Sequence, residues 1–181
     1  MRAVLAATLL VALSLSTSKP IAGAEPFRLT VPNQGWFLTF ESPPLINYLG
    51  QTKGKNFQFR AVGETGFNVS MFVEEPKAKA DGHEACFNYY WPLAKRNPMV
   101  DQKTVKVTKT DRYVKVSYSI KVRDGDKEVA SPHVNYYFAF QDRWMDVHTS
   151  RYPPGKDDDD VLGMFEKSIS YRALKDADRS P

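Results

Sequence analysis

From Val114 to Val122 every second residue is apolar: Val114, Val116, Tyr118, Ile120 and Val122. The intervening positions, continuing to Arg123, are Lys115, Ser117, Ser119, Lys121 and Arg123. A period of two places alternate side chains on opposite sides of an extended chain, so this run predicts a strand. Branched side chains on one face and lysines on the other predict that the second face meets solvent. A chain with such a run must build a sheet over a core. The same constraint recurs earlier, where Phe57 and Phe59 alternate with Gln58 and Arg60. After Gly63-Glu64-Thr65-Gly66, the residues Phe67, Val69, Met71 and Val73 alternate with Asn68, Ser70, Phe72 and Glu74, which predicts a hairpin. Trp36-Phe37-Leu38-Thr39-Phe40, between Gly35 and Pro43-Pro44, reads as a further strand.

A last hairpin follows from pairing arithmetic. With a two-residue turn at Asp142-Arg143, Gln141 faces Trp144, and Phe140–Met145, Phe138–Val147 and Tyr136–Thr149 share one side. The other side then carries Gln141–Trp144, Ala139–Asp146, Tyr137–His148 and Asn135–Ser150. One face is apolar and the other polar and aromatic, as a single register requires. Asp-Arg lacks the Asn-Gly chemistry such turns prefer.

Two helices complete the pattern. Asp81 and Glu84 have the spacing of a capping box, followed by Cys86, Tyr89, Tyr90 and Leu93 at helical intervals. Pro92 is expected to end or kink this helix near Trp91. The second helix starts within Asp157 to Asp160 and carries Val161, Leu162, Phe165 and Ile169 along one stripe. Carboxylates suit a first turn, where unpaired N–H groups point outward. The order β–ββ–α–β–ββ–α, with an extra strand proposed at Val105 to Val107, predicts an α+β fold. Its largely antiparallel β-sheet is flanked by two helices.

The N-terminus reads as a secretory signal peptide: Arg2, an apolar run from Ala3 to Leu15, and Ala22-Gly23-Ala24 before the expected cleavage. Removing 24 of the 181 residues leaves 157, with 23 basic and 21 acidic residues, so the charge falls from +4 to +2. That is one domain's worth of chain and no footprint for nucleic acid. The 13-residue apolar run is shorter than the roughly 20 residues a bilayer span needs. No cysteine stands at the cleavage point to carry a lipid, and one cysteine makes no internal disulfide. The expected organisation is a cleaved signal peptide over 1–24 and a flexible segment over 25–34. A single domain over 35–172 and a disordered tail over 173–181 follow. The expected location is periplasmic or secreted, by a bacterial Sec route. Asn68-Val69-Ser70 is a glycosylation sequon that matters only in a eukaryotic source.

The C-terminal half, with Trp144-Met145-Asp146-Val147-His148, a Pro-Gly loop, an acidic helix start and Phe165-Glu166-Lys167-Ser168-Ile169, resembles the Mog1/PsbP-like α/β/α sandwich. The aromatic strand and hairpin between Trp36 and Val73 fit the same order, and the resemblance spans roughly Gly35 to Tyr171. It is a likeness of element order, without a diagnostic motif. The resemblance implies a non-catalytic binding or assembly protein, since most members are of that kind. One branch serves a photosynthetic complex and another a nuclear transport GTPase. It transfers no functional residue to this chain.

Four consecutive carboxylates, Asp157 to Asp160, lack the spacing of a calcium loop and read as a solvated helix start. His83 and Cys86 supply at most two metal ligands where zinc needs three or four, so no metal and no cofactor is expected. There is no Gly-x-Ser-x-Gly elbow and no glycine-rich phosphate loop. A small hydrolase working through carboxylates stays open as the alternative, with a metal-binding protein behind it. The leading binding surface is Tyr137, Trp144, Asp146 and His148 on the last hairpin, with Arg151 and Tyr152 beyond. The competing outcome is that a helix covers this face and makes Tyr137 and Trp144 core. The partner, an unknown protein or small ligand, and the oligomeric state are left open.

Overall fold

The computed structural model describes residues 24–77 and 81–175. The signal-like stretch up to residue 23 and the tail from residue 176 onward lie outside the described residues. The chain order is β1 (Glu25–Val31), β2 (Trp36–Ser42), β3 (Leu45–Lys53), β4 (Asn56–Gly63), β5 (Phe67–Glu74) and α1 (His83–Ala94). There follow β6 (Val100–Lys109), β7 (Val114–Asp124), β8 (Lys127–Phe140), β9 (Arg143–Arg151), α2 (Asp158–Ser168) and β10 (Ser170–Ala173). A seven-stranded antiparallel sheet runs β3-β4-β5-β9-β8-β7-β6, and a smaller sheet runs β1-β2-β10. This is the expected α+β fold, with a second sheet added.

The small sheet and α2 cover one face of the large sheet, here called the inner face. Phe57, Phe59, Val69, Met71, Tyr136, Phe138, Met145 and Val147 meet Trp36, Leu38, Phe40, Val161, Leu162, Phe165 and Ile169 there. The predicted α2 stripe is therefore the buried one. Helix α1 covers part of the outer face, where Cys86 and Trp91 pack on Val114, Val116, Tyr118, Tyr137 and Trp144.

Several expectations need correction. The segment expected to be flexible, 25–34, forms β1 instead, paired with β2 from Glu25↔Ser42 to Val31↔Trp36. Its Phe27 ring packs on Phe40 and Phe59, and that burial offsets the ordering cost of a terminal strand. Ala173 and Leu174, placed in the expected tail, are instead engaged: Ala173 pairs with Trp36 and the Leu174 N–H donates to the Gly35 carbonyl at 2.8 Å. The capping box does not form: Gly82 is the N-cap without a side-chain cap, and Glu84 pairs with Lys109 at 2.8 Å. Pro92 sits inside α1, which runs on to Ala94. So near the C-terminus its missing N–H removes only one bond of the last turn. Of the expected α1 stripe Cys86 is buried, whereas Tyr89 and Leu93 are exposed. The lysine face of β7 is only partly solvated, since Lys115 pairs with Glu166 of α2 at 2.6 Å.

Candidate functional site

The β8–β9 hairpin turns at Gln141 and Asp142, which both take positive φ, 48° and 55°. Two consecutive left-handed residues match the right-handed twist of flanking strands. The turn therefore lies one residue earlier than expected, and the pairs are Phe138↔Met145, Tyr137↔Asp146 and Asn135↔His148. The register is displaced by two residues relative to the sequence-derived one. Because side chains alternate with period two, an even displacement keeps every residue on its assigned face.

The six expected binding residues do not form one surface. Tyr137 and Trp144 lie beneath α1 with no exposed area, ringed by Phe87, Tyr89 and Tyr90. The covered-face outcome holds for both. Arg151 projects from the inner side of β9, where its guanidinium pairs with Asp157 at 2.5 Å and Asp158 at 3.3 Å and donates to the Thr65 carbonyl at 3.2 Å. The arginine lowers the Asp157 pKa chiefly through that hydrogen bond. The acidic helix start thus anchors the β9–α2 loop. Tyr152 is exposed at the end of the strand, where its N–H donates to the Gly66 carbonyl at 3.0 Å. Gly66, at φ 75°, has no room for a Cβ, which would collide with the Tyr152 carbonyl oxygen.

Asp146 and His148 belong to a half-buried polar row on the outer face. The Tyr118 hydroxyl donates to Asn135 Oδ1 at 2.9 Å, and Asn135 Nδ2 donates to Asp146 Oδ1 at 2.7 Å. Burial pushes the Asp146 carboxyl up to about 6; the Asn135 donor opposes this and nearby Glu74 adds to it. Beside it, His133 Nδ1 and His148 Nε2 stand 2.7 Å apart, with His133 Nε2 3.3 Å from Ser131 Oγ. Ser131 Oγ already donates to the Arg151 carbonyl at 2.8 Å, so it accepts from His133 Nε2–H. His133 Nδ1 is then the acceptor and His148 Nε2–H the donor. Both rings are neutral: burial pushes His133 down to about 4 and, with its neighbour's charge, His148 down to about 3. His133, Asn135 and Tyr118 were absent from the sequence-derived site.

The other sequence candidates are engaged locally. His83 Nδ1 accepts from the Ala139 N–H at 3.0 Å, and Cys86 Sγ donates to the Met145 carbonyl at 3.4 Å. Burial raises the Cys86 thiol far above its usual range, which leaves it a poor nucleophile. Among the described residues no group of three or more His, Cys, Asp and Glu side chains is placed to hold a metal ion.

Two cavities adjoin the large sheet. One, about 430 Å³, is lined by Gln51, Phe57, Gln58, Phe72 and Glu74 on the open end of the sheet. The other, about 590 Å³, lies between α2 and β6–β7, with Lys103, Lys106, Lys115, Asp159 and Glu166 in its walls. Asp146 and His148 line neither.

Exposed large apolar side chains gather instead at β3 and β4: Ile46 is 53% exposed, Tyr48 66%, Leu49 67% and Val62 41%. Sequence reasoning missed them. The signal was the uncharged run Leu45-Ile46-Asn47-Tyr48-Leu49 after Pro43-Pro44. A shallow depression lined by Asn47, Tyr48, Leu49, Arg60 and Val62 marks the same spot.

Together these features define an α+β sandwich with an open apolar edge and a half-buried polar row. No family model matches the chain, and no curated protein matches it. Among solved structures it is similar to the solution structure of cyanobacterial PsbP (CyanoP) from Synechocystis sp. PCC 6803. That likeness has 14% identity over 88% of this chain and 99% of the other, with a TM-score of 0.42. It is also similar to a crystal structure from Bacteroides thetaiotaomicron VPI-5482, at 9% identity and a TM-score of 0.39. That match covers 80% of this chain and spans 47% of the Bacteroides chain. A PsbP-like structure is thus among the neighbours of this fold.

Proposed function

We propose that the protein is an exported, non-catalytic binding or assembly module that meets a protein partner through the β3–β4 edge. The observation that carries this reading is the exposure of Ile46, Tyr48, Leu49 and Val62 at one end of the sheet, with Leu49 and Val62 on its outer face and Tyr48 on its inner face. Large apolar patches on otherwise well-packed domains mark interaction sites. Export is supported by Arg2, the apolar run from Ala3 to Leu15 and Ala22-Gly23-Ala24. Among the described residues no helix is long and apolar enough to cross a membrane. A hydrolytic reading would draw on Asp146, whose carboxyl lines neither cavity, although its neighbour Phe72 lines one and His133 and Tyr118 of the same row line the other; hydrolysis would need the carboxyl itself in a cavity wall.

A photoreactive phenylalanine analogue at Tyr48 tests the module, with the same analogue at Thr108 on the opposite, β6 edge as control. Irradiation of cells making the full chain should give adducts at position 48 several-fold above those at 108, with the captured protein identified by mass. Equal yields at the two positions would remove the proposal.

A further inference from the structure

Among the described residues the seven-stranded sheet ends in two unpaired edges, β3 and β6, and they differ in chemistry. The β6 edge carries Asp101, Lys103, Lys106 and Lys109, and its register with β7 is broken between Asp101 and Lys106. Lysines and a bulge on an edge oppose the addition of another strand. The β3 edge reads Leu-Ile-Asn-Tyr-Leu-Gly-Gln-Thr-Lys, with its one charge at the last position. Its pairing with β4 is regular from Asn47 to Lys53, and all residues after Leu45 are exposed. A nine-residue strand spans about 30 Å of backbone, with one row of hydrogen-bonding groups unpaired.

We infer that the occupant of this edge is a second copy of the same chain, with β3 pairing antiparallel to its counterpart about a twofold axis at Leu49. This rests on the binding-module reading and names its partner. The sequence of β3 is complementary to itself in that register. Lys53 falls opposite uncharged Leu45, Asn47 opposite Gln51, and Leu49 opposite Leu49. Tyr48 falls opposite Gly50, where no side chain competes and the Phe57 ring lies 3.3 Å from the Cβ position. No like charges face each other across the seam, the arrangement that would oppose pairing. On the outer face the nearest cations are the two Arg60 residues, one strand further in on each copy. Three strand spacings separate them, about 14 Å, beyond the Debye length at physiological salt. Because the β6 edge is protected, the association closes at two copies and does not propagate into a fibre.

The test uses the full chain. Sedimentation across roughly 1–100 μM should show mass rising from one copy to two and no further. Leu49→Cys should oxidise to a disulfide-linked dimer, because residue 49 sits opposite itself at a spacing a disulfide spans. Asn47→Cys alone should link at least tenfold less, yet link to Gln51→Cys when the two are mixed. Buried Cys86 stays out of the reaction. Leu49→Lys and Ile46→Lys should each be folded and remain single at every concentration, while an equimolar mixture of Leu49→Lys and Leu49→Glu should pair again. A wild-type chain that stays single throughout, or a dimer indifferent to Leu49→Lys, overturns the inference. If the wild type is single but the Tyr48 probe captures a different protein, the second copy is wrong and the module stands. If the probe captures nothing either, both fall.

Discussion

The two faces of the seven-stranded sheet solve the same burial problem with different materials. Against the small sheet and α2, the inner face presents Phe59, Val69, Met71, Tyr136, Phe138, Met145 and Val147, nearly all hydrocarbon. Against α1, the outer face presents Val114, Val116, Tyr137 and Trp144, but between them and the open end lie Tyr118, Asn135, Asp146, His133 and His148. Beyond β9, among the described residues, Tyr90 of α1 reaches Glu74, while Gln58, Asn68 and Ser70 are half-buried and Arg60 is exposed. The inner face therefore carries most of the stability, because apolar burial is the dominant favourable term. The outer face tolerates ionisable groups and an open edge, which cost stability and make pH response and association available.

Removing apolar volume from the inner face should produce the largest effect. Phe165 of α2 is fully buried and its ring lies 4.8 Å from Phe40 and 5.4 Å from Tyr136 between centroids. Phe165→Ala should destabilise by about 3–5 kcal/mol, the range for truncating a core aromatic. Urea denaturation would measure it. A loss below about 1 kcal/mol would show that α2 does not close the core.

How far these faces were legible beforehand depended on what each residue's neighbours are. Val161, Leu162, Phe165 and Ile169 were readable because helical spacing alone aligns them. The apolar and polar sides of β8 and β9 were readable for the same local reason, and survived a wrong turn because the displacement was even. The His133–His148 contact was not readable. It runs diagonally across the hairpin, one pair on from Asn135↔His148, whereas the sequence-derived register sets Tyr137 opposite His148. Strand β3 escaped because no covered face imposes alternation on it: Tyr48 and Leu49 are adjacent and both exposed. Strand β1 escaped because its partner chemistry, Phe27 against Phe40 and Phe59, is tertiary. Helix cover over Tyr137 and Trp144 was one of two outcomes the pattern allowed, and only the path of α1 decides it.

The polar row should give the next largest effect, seen through pH. His133 and His148 have folded values depressed to about 4 and about 3, below the ordinary 6.5. Their contribution is present above pH 6.5 and is lost as pH falls through those folded values, because the unfolded chain binds protons first. Asp146, raised from 3.8 to about 6, acts in the opposite sense: its contribution is present below 3.8 and lost as pH rises through 6. Between pH 6 and 4 two histidines therefore oppose one carboxyl, and acid destabilises. His133→Gln should remove about 1–2 kcal/mol of the stability difference between pH 7 and pH 5, after allowance for its partial exposure. Urea midpoints at the two pH values for both proteins provide the measurement. Equal acid losses in wild type and variant would mean that the pair does not titrate as its burial demands.

The smallest stability effect should come from the open edge, and its smallness separates the edge from the core. Leu49 is 67% exposed, so Leu49→Lys should change the unfolding free energy of the dilute chain by no more than about 0.5 kcal/mol. Association adds a second term, because a partner that binds only the folded chain stabilises it by mass action. The wild-type melting temperature should therefore rise with protein concentration, while that of Leu49→Lys stays level and meets the wild-type value at high dilution. A variant that melts lower even at high dilution would place Leu49 in the packing of the single chain. Melting curves parallel at every concentration would show that this edge binds no second copy, leaving its apolar side chains to a different partner.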